Sequence, residues 1–243
     1  SQQNDPSENL SASAPQEKIV IGLDDNFPPM GFRDSKGEIV GFDIDLAREA
    51  AKRMNVRVSF MPIDWSTKED ELTSKRIDAI WNGFSVTEER KKTFLFSQPY
   101  MQNHQIVVVN RMSTIQTKAD LKDKLIGVQE GSTSAEVVQE DKDLAQSMLG
   151  IKVFASNVIA LMELITGRLD AVVLDEVVAR YYLNQAPGKY RILSEDFGIE
   201  DYAVGLRKED TALMLRLDNT LANMRADGTT ARIYTKWFGN TSK

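Results

Sequence analysis

Four short polar segments carry the side chains from which a site could be built. The first is Asp24, Asp25, Asn26, Phe27, Pro28 and Pro29, directly after the apolar run Ile19 to Leu23. The second runs from Asn82, Gly83, Phe84 and Ser85 through Thr87, Glu88 and Glu89 to Arg90, after IDAIW. The third is Gly131, Ser132 and Thr133, where IGVQE gives way to a helical pattern. The fourth is Asp175, which ends LDAVVLD. Each follows a strand pattern, and open α/β sheets bind ligands at the carboxyl ends of their strands. Taken singly, each has a plainer role. An aspartate or a Gly-Ser-Thr before a helix caps it, an arginine is a solvated surface charge, and Phe27 and Trp65 are core. Much other chemistry is absent. There is no cysteine, so disulfides, thiol catalysis and Cys-ligated metals are excluded. The single histidine, His104, excludes any metal site or triad that needs two. No cofactor is expected.

The elements that must position these groups alternate. Ile19 to Leu23 reads as a buried strand. GFDIDLAREAAKRMN places Phe42, Leu46, Ala50 and Met54 near helical spacing, with Asp43 and Asp45 at its start and Lys52 and Arg53 at its end, which suits the helix dipole. VRVSFMPI alternates as a strand, a short helix spans Glu69 to Lys75, and IDAIW is the next strand. This is βαβ order and predicts a mostly parallel sheet. A second series begins at IVVVN: strand IGVQ, helix SAEVVQEDKDLAQSML, strand KVFA, helix NVIALMELITGR with Ile159, Met162 and Ile165 on one face, strand LDAVVLD and helix EVVARYYLNQ. YAVGLR reads as a strand crossing back, and two helices close the chain. Two α/β series joined by extended segments predict two lobes with a cleft between them, a common ligand site. The first 17 residues are polar and small and bury too little to offset ordering, so they read as a disordered tether left by an export signal or lipid anchor, or as a plain terminal tail. The 243 residues carry 30 Lys plus Arg against 36 Asp plus Glu, for a net charge of −6, which is a poor match to nucleic-acid phosphates. No apolar run approaches the ~18–20 residues of a membrane span.

The motifs in order, DxxFPP, GFDIDL, SVTEER, FLFSQPY, GVQEGST, GRLDAVVLDE and KWFG, resemble the extracytoplasmic solute-binding proteins of polar amino-acid ABC importers, over nearly everything from Lys18 to Gly239. The resemblance implies a two-lobed periplasmic-binding-protein-like fold of type II, each lobe a mixed, mostly parallel sheet flanked by helices, with a two-strand hinge. It places residues 18–104 and 204–243 in the first lobe and 105–203 in the second, with crossings near His104 to Val107 and Tyr202 to Gly205. It implies that Arg90 grips a ligand carboxylate with its planar fork, sharing it with backbone N–H groups at Ser85 and at Thr133, which sits at a helix start. By the same resemblance Asp175 pairs with the ammonium, helped by the Gly83 carbonyl and the Ser85 hydroxyl. Phe27 and Trp65 occupy positions that sandwich a side chain, where a cation gains from the ring faces. Asp24 meets the side-chain tip in relatives that take basic amino acids or glutamine. Asn82, Gln129 and Ser132 complete the expected lining.

Two departures leave the exact ligand open. Trp81 and Asn82 stand where many relatives have small residues, and Trp81 points either into the core or into the pocket. Gln129 adds an amide where some relatives are apolar. Asp25 or Asn26 would take the role of Asp24 if the register were shifted by one. The implied function is capture of a free L-amino acid, basic or glutamine, by hinge closure, and delivery to a membrane permease by an extracytoplasmic monomer. Two other readings belong to the same fold: a sensor module, and a dehydratase using Asp24, Glu130 or Asp175 as acid or base. His104, near the hinge, reads as a structural hydrogen-bonding residue.

Overall fold

The computed structural model describes residues 17–239, so the tail read as a tether lies outside the described residues but for its last position. The chain opens with β1 (Lys18–Leu23), followed by three short strands, β2 (Asn26–Phe27), β3 (Gly31–Arg33) and β4 (Ile39–Val40). Helix α1 (Phe42–Met54) leads to β5 (Arg57–Pro62), and a 3-10 turn at Trp65–Thr67 runs into α2 (Lys68–Thr73). Next come β6 (Ala79–Ile80), α3 (Glu88–Lys91) and β7 (Phe94–Phe96). The long β8 (Met101–Asn110) enters the second half, which holds β9 (Leu125–Gln129), α4 (Thr133–Glu140), α5 (Lys142–Ser147), β10 (Gly150–Phe154), α6 (Asn157–Ile165), β11 (Ala171–Asp175) and α7 (Glu176–Gln185). Strand β12 (Tyr190–Tyr202) leads back to β13 (Gly205–Arg207), and α8 (Thr211–Ala226) and α9 (Thr229–Phe238) close the fold.

Two five-stranded sheets result, in the orders β5-β1-β6-β13-β7 and β10-β9-β11-β8-β12, with β2-β3-β4 as a small third sheet. Helical crossovers make the parallel pairs, β1 with β5 and β6 and β9 with β10 and β11. Within the two five-stranded sheets, the antiparallel pairs all involve strands that enter or leave a half: β8 against β11 and β12, and β13 against β6 and β7. The fold is therefore α/β and two-lobed, with mixed sheets flanked by helices. The apolar run of β8 shows why such strands read as unbroken hydrophobic stretches. Ile106 and Val108 face one buried cluster, and Val107 and Val109 face another.

Helix α1 buries Phe42, Leu46, Ala47, Ala50 and Ala51 against this core. It starts at Gly41, whose φ of +144° and whose approach to the Met30 carbonyl (an added Cβ would lie 2.2 Å from it) exclude any side chain. It ends at Asn55 in the left-handed region. Two sequence expectations change. SAEVVQEDKDLAQSML is not one helix but α4 and α5, broken at Asp141. Continuing α4 would bring Asp141 and Lys142, three and four residues beyond buried Val138, onto the buried face. In α6 the face of Ile159, Met162 and Ile165 is the exposed one, and Ala160, Leu161 and Leu164 are buried instead.

Candidate functional site

All four segments named from the sequence converge. Asp24, Phe27, Trp65, Asn82, Gly83, Ser85, Arg90, Gln129, Ser132, Thr133 and Asp175 together line one cavity. The positions follow from the sheets. Asp24 follows β1, the Asn82–Ser85 turn follows β6, Ser132 follows β9, and Asp175 is the last residue of β11.

On the first-sheet side, a buried carboxylate fixes the turn. Asp43, in the first turn of α1, accepts from Gly83 N at 2.6 Å and from Tyr100 Oη at 2.7 Å. Burial pushes its pKa up to about 7 against those two hydrogen bonds. Gly83 has φ +55° and packs so closely on Phe27 that an added Cβ would lie 2.8 Å from the ring. Thr87 caps α3 by accepting from Arg90 N at 3.0 Å. That cap turns the Arg90 side chain inward, where it is buried and lies 4.5 Å from the centre of the Phe84 ring. Its guanidinium donates to the carbonyls of Ser85 at 2.8 Å and Gly131 at 3.3 Å. Burial lowers its pKa, opposed by the nearby charges of Glu136, Glu200 and Asp175. Trp65 meets Phe84 edge-on, with centroids 5.7 Å apart.

Asp24 is buried in the same lining. Its carboxylate accepts from Asn26 N at 2.9 Å and, across the cleft, from Gln129 Nε2 at 2.8 Å. Burial raises its pKa despite those two bonds. The register is settled, because Asp25 turns outward to pair with Arg33 at 2.8 Å. Trp81 lies in the core, with Ile19 and Leu206 among its neighbours, and does not line the cavity, whereas Asn82 does. Glu130 is exposed. His104 makes no side-chain hydrogen bond among the described residues and lines a separate hollow beside α7 and α9, so the structural hydrogen-bonding role read for it is not what the structure gives.

On the second-sheet side, Ser132 caps α4 through Ala135 N at 3.2 Å, and Ser132 and Thr133, at the start of that helix, both line the cavity. Asp175 accepts a short bond from Tyr202 Oη and one from Gln105 Nε2 at 2.9 Å. Burial, and then the charge of Glu200, push its pKa up to about 7, while Tyr202, Gln105 and Arg90 pull the other way.

Sequence reasoning missed five residues that hold this arrangement. Asn103 and Gln105 on β8, and Glu200 and Tyr202 on β12, lie two apart and so share a face on each crossing strand. That alternation was present in the sequence. The fifth is Lys68, which lies 4.9 Å over the Trp65 ring and donates to Trp65 O at 3.1 Å and, across the cleft, to Gly131 O at 2.9 Å. Burial and then Arg90 lower its pKa to about 8.

Chemically, the cavity offers a guanidinium and a helix start, two buried carboxylates, and two aromatic side chains. Known proteins resemble this chain over most of its length. The model of the bacterial extracellular solute-binding proteins, family 3, matches residues 19–240. The L-cystine-binding protein TcyJ of Escherichia coli K12 is 31% identical over 225 residues, covering 91% of this chain and 82% of that protein. An ABC uptake transporter substrate-binding protein from Streptococcus pneumoniae, solved with bound histidine, superposes with a TM-score of 0.89 at 36% identity, covering 92% of this chain and 93% of its own. An ancestral arginine-binding protein bound to arginine superposes with a TM-score of 0.87 at 40% identity, covering 92% of this chain and 99% of its own.

Proposed function

The chain belongs to the bacterial extracellular solute-binding proteins of family 3, and from that membership we propose that it captures one free L-amino acid with a basic or amide side chain. Its relatives are amino-acid-binding transport proteins rather than enzymes. The observation that carries the reading is the set of groups that line one cavity: Arg90 and the start of α4, Asp175, the rings of Phe27 and Trp65, and Asp24. A ligand carboxylate lies on Arg90, its ammonium on Asp175, and its side chain runs between the rings toward Asp24. An unpaired buried carboxylate is costly. A guanidinium, ammonium, imidazolium or amide N–H relieves that cost at Asp24, whereas an aspartate or glutamate side chain increases it.

The lobes are taken as 18–104 with 204–243, and 105–203. Arg90 then stands on one and Asp175 on the other, so the two backbone charges of the ligand tie the lobes together and favour closure. The closed form acts as a monomer outside the cytoplasm and passes its ligand to the permease of an ABC importer. Among the described residues no helix is long and apolar enough to cross a membrane, in keeping with a separate permease chain. A thermal-shift screen of the refolded protein against the twenty L-amino acids tests the reading, because a ligand that binds only the folded state raises Tm with concentration. Arginine, lysine, histidine or glutamine is expected to raise it. A protein that no amino acid shifts is not an amino-acid carrier.

A further inference from the structure

Behind the cavity, outside its lining, stands a carboxylate that the proposed function does not use. Glu200, on β12, has one oxygen that accepts from Ser85 Oγ at 2.6 Å, Gln105 Nε2 at 2.7 Å, Asn103 Nδ2 at 2.9 Å and Thr133 Oγ1 at 3.2 Å. The local pairing explains how it gets there. Val86 N bonds to Asp201 O, Ala203 N bonds to Phe84 O, and Ser85 bridges Tyr202, so β12 passes directly along the Ser85 turn. Glu200 also sits opposite Asn103 in the β8–β12 register, and Gln105 Nε2 donates to both Glu200 and Asp175.

A hydroxyl can donate or accept, and a carboxylate only accepts. Where Ser85 and Thr133 meet Glu200, their hydrogens point away from the cavity and toward β12. Their remaining lone pairs are then left for a donor on the cavity side, next to Asp175. Gln105 Nε2 also lies 3.1 Å from Thr133 Oγ1, so its two hydrogens are shared among Glu200, Asp175 and that hydroxyl.

We propose that Glu200 is a positioning residue that fixes both hydroxyls as acceptors, and so makes the site select ligands that carry a free α-ammonium over deaminated, α-keto or α-hydroxy analogues of the same side chain. It rests on the reading of the cavity as an amino-acid site. Ser85 belongs to the first sheet's side and Thr133 to the second's, so one carboxylate aligns both only when the two sides meet.

The test is calorimetric titration of wild type, Glu200→Gln and Glu200→Asp with L-arginine and with 5-guanidinopentanoate, the same molecule without its α-ammonium. Wild type is expected to prefer L-arginine by about a hundredfold. Glu200→Gln is expected to weaken L-arginine about tenfold and leave 5-guanidinopentanoate unchanged, narrowing the ratio. Glu200→Asp, with its charge kept and its reach shortened, should give a ratio between the two. In a Ser85→Ala background the Gln substitution should cost less, because one hydroxyl through which it acts is gone. An unchanged ratio, or equal loss of both ligands, overturns the proposal in favour of a merely structural carboxylate. If Glu200→Gln fails to fold, Glu200→Asp decides, and a wild-type ratio there overturns it. A wild-type protein that binds both compounds equally refutes ammonium selection while leaving the cavity a binding site. One that binds neither, nor L-histidine nor L-glutamine, removes the functional reading and this inference with it.

Discussion

The two sides of the cavity are built from different materials. The first-sheet side supplies every aromatic residue, Phe27 and Trp65, together with the guanidinium of Arg90 and the distal carboxylate of Asp24. The second-sheet side supplies Gln129, Ser132, Thr133 and Asp175, all polar and none aromatic. On the proposed function, the first side thus sets the shape and length of the ligand, and the second closes over it with hydrogen-bonding groups. The cross-cleft contacts follow that division: the cations Lys68 and Arg90 from the first side meet the Gly131 carbonyl of the second, and Gln129 of the second meets Asp24 of the first. On the proposed function, identity is read mainly on one side, and closure is completed by the other.

The largest expected effect comes from removing the carboxylate grip. Arg90→Ala should weaken every amino-acid ligand by about a hundredfold or more, since it strands a buried carboxylate without its partner. Calorimetry on arginine, histidine and glutamine checks this, and near-normal binding of any of them would break the assignment. Next is the pH dependence of the second side. Asp175 is held near pKa 7 by burial and by Glu200, and a bound ammonium favours its ionised form. Binding therefore releases a proton, and affinity for L-arginine should fall as pH drops below about 7, by no more than about tenfold per unit. The same raised pKa contributes stability that is fully present below the unfolded value of 3.8 and is lost as pH rises through about 7. Asp175→Asn should flatten the profile of affinity, and a wild-type profile flat from pH 5 to 8 would count against the pairing.

A change at the distal end sharpens the contrast. Asp24→Asn should weaken L-arginine about tenfold more than L-glutamine, because only the first brings a full charge to that carboxylate. Equal losses would remove Asp24 from side-chain reading. The smallest effect is expected at the rim, where Lys68→Met deletes a tie to the Gly131 carbonyl. That should weaken all ligands alike by a few-fold. A change in preference among ligands would place Lys68 in the reading of identity instead.

The four polar segments were legible because each is local. A strand, a short turn and a helix start are contiguous in sequence, so Asp24, Ser85, Thr133 and Asp175 could be placed before any contact was known. Glu200 and Gln105 were not, although their alternation with Tyr202 and Asn103 was visible. Which face of a crossing strand turns toward the cleft depends on the pairing of β8 with β12, residues about a hundred positions apart. Lys68 was missed for a related reason: a lysine at a helix start reads as solvated until the Gly131 loop covers it. The helix break at Asp141 was hidden because composition favours a helix on both sides of it, and only the buried face forbids continuity.

The central claim is that one amino acid spans both sides, with its carboxylate on Arg90 and its ammonium on Asp175. A crystal structure of the protein grown with L-arginine tests it directly. The account predicts density in the cavity with the carboxylate within hydrogen-bond distance of Arg90, the ammonium on Asp175 and the guanidinium between Phe27 and Trp65 near Asp24. Arginine bound with its ends reversed, or bound anywhere else on the surface, would contradict it.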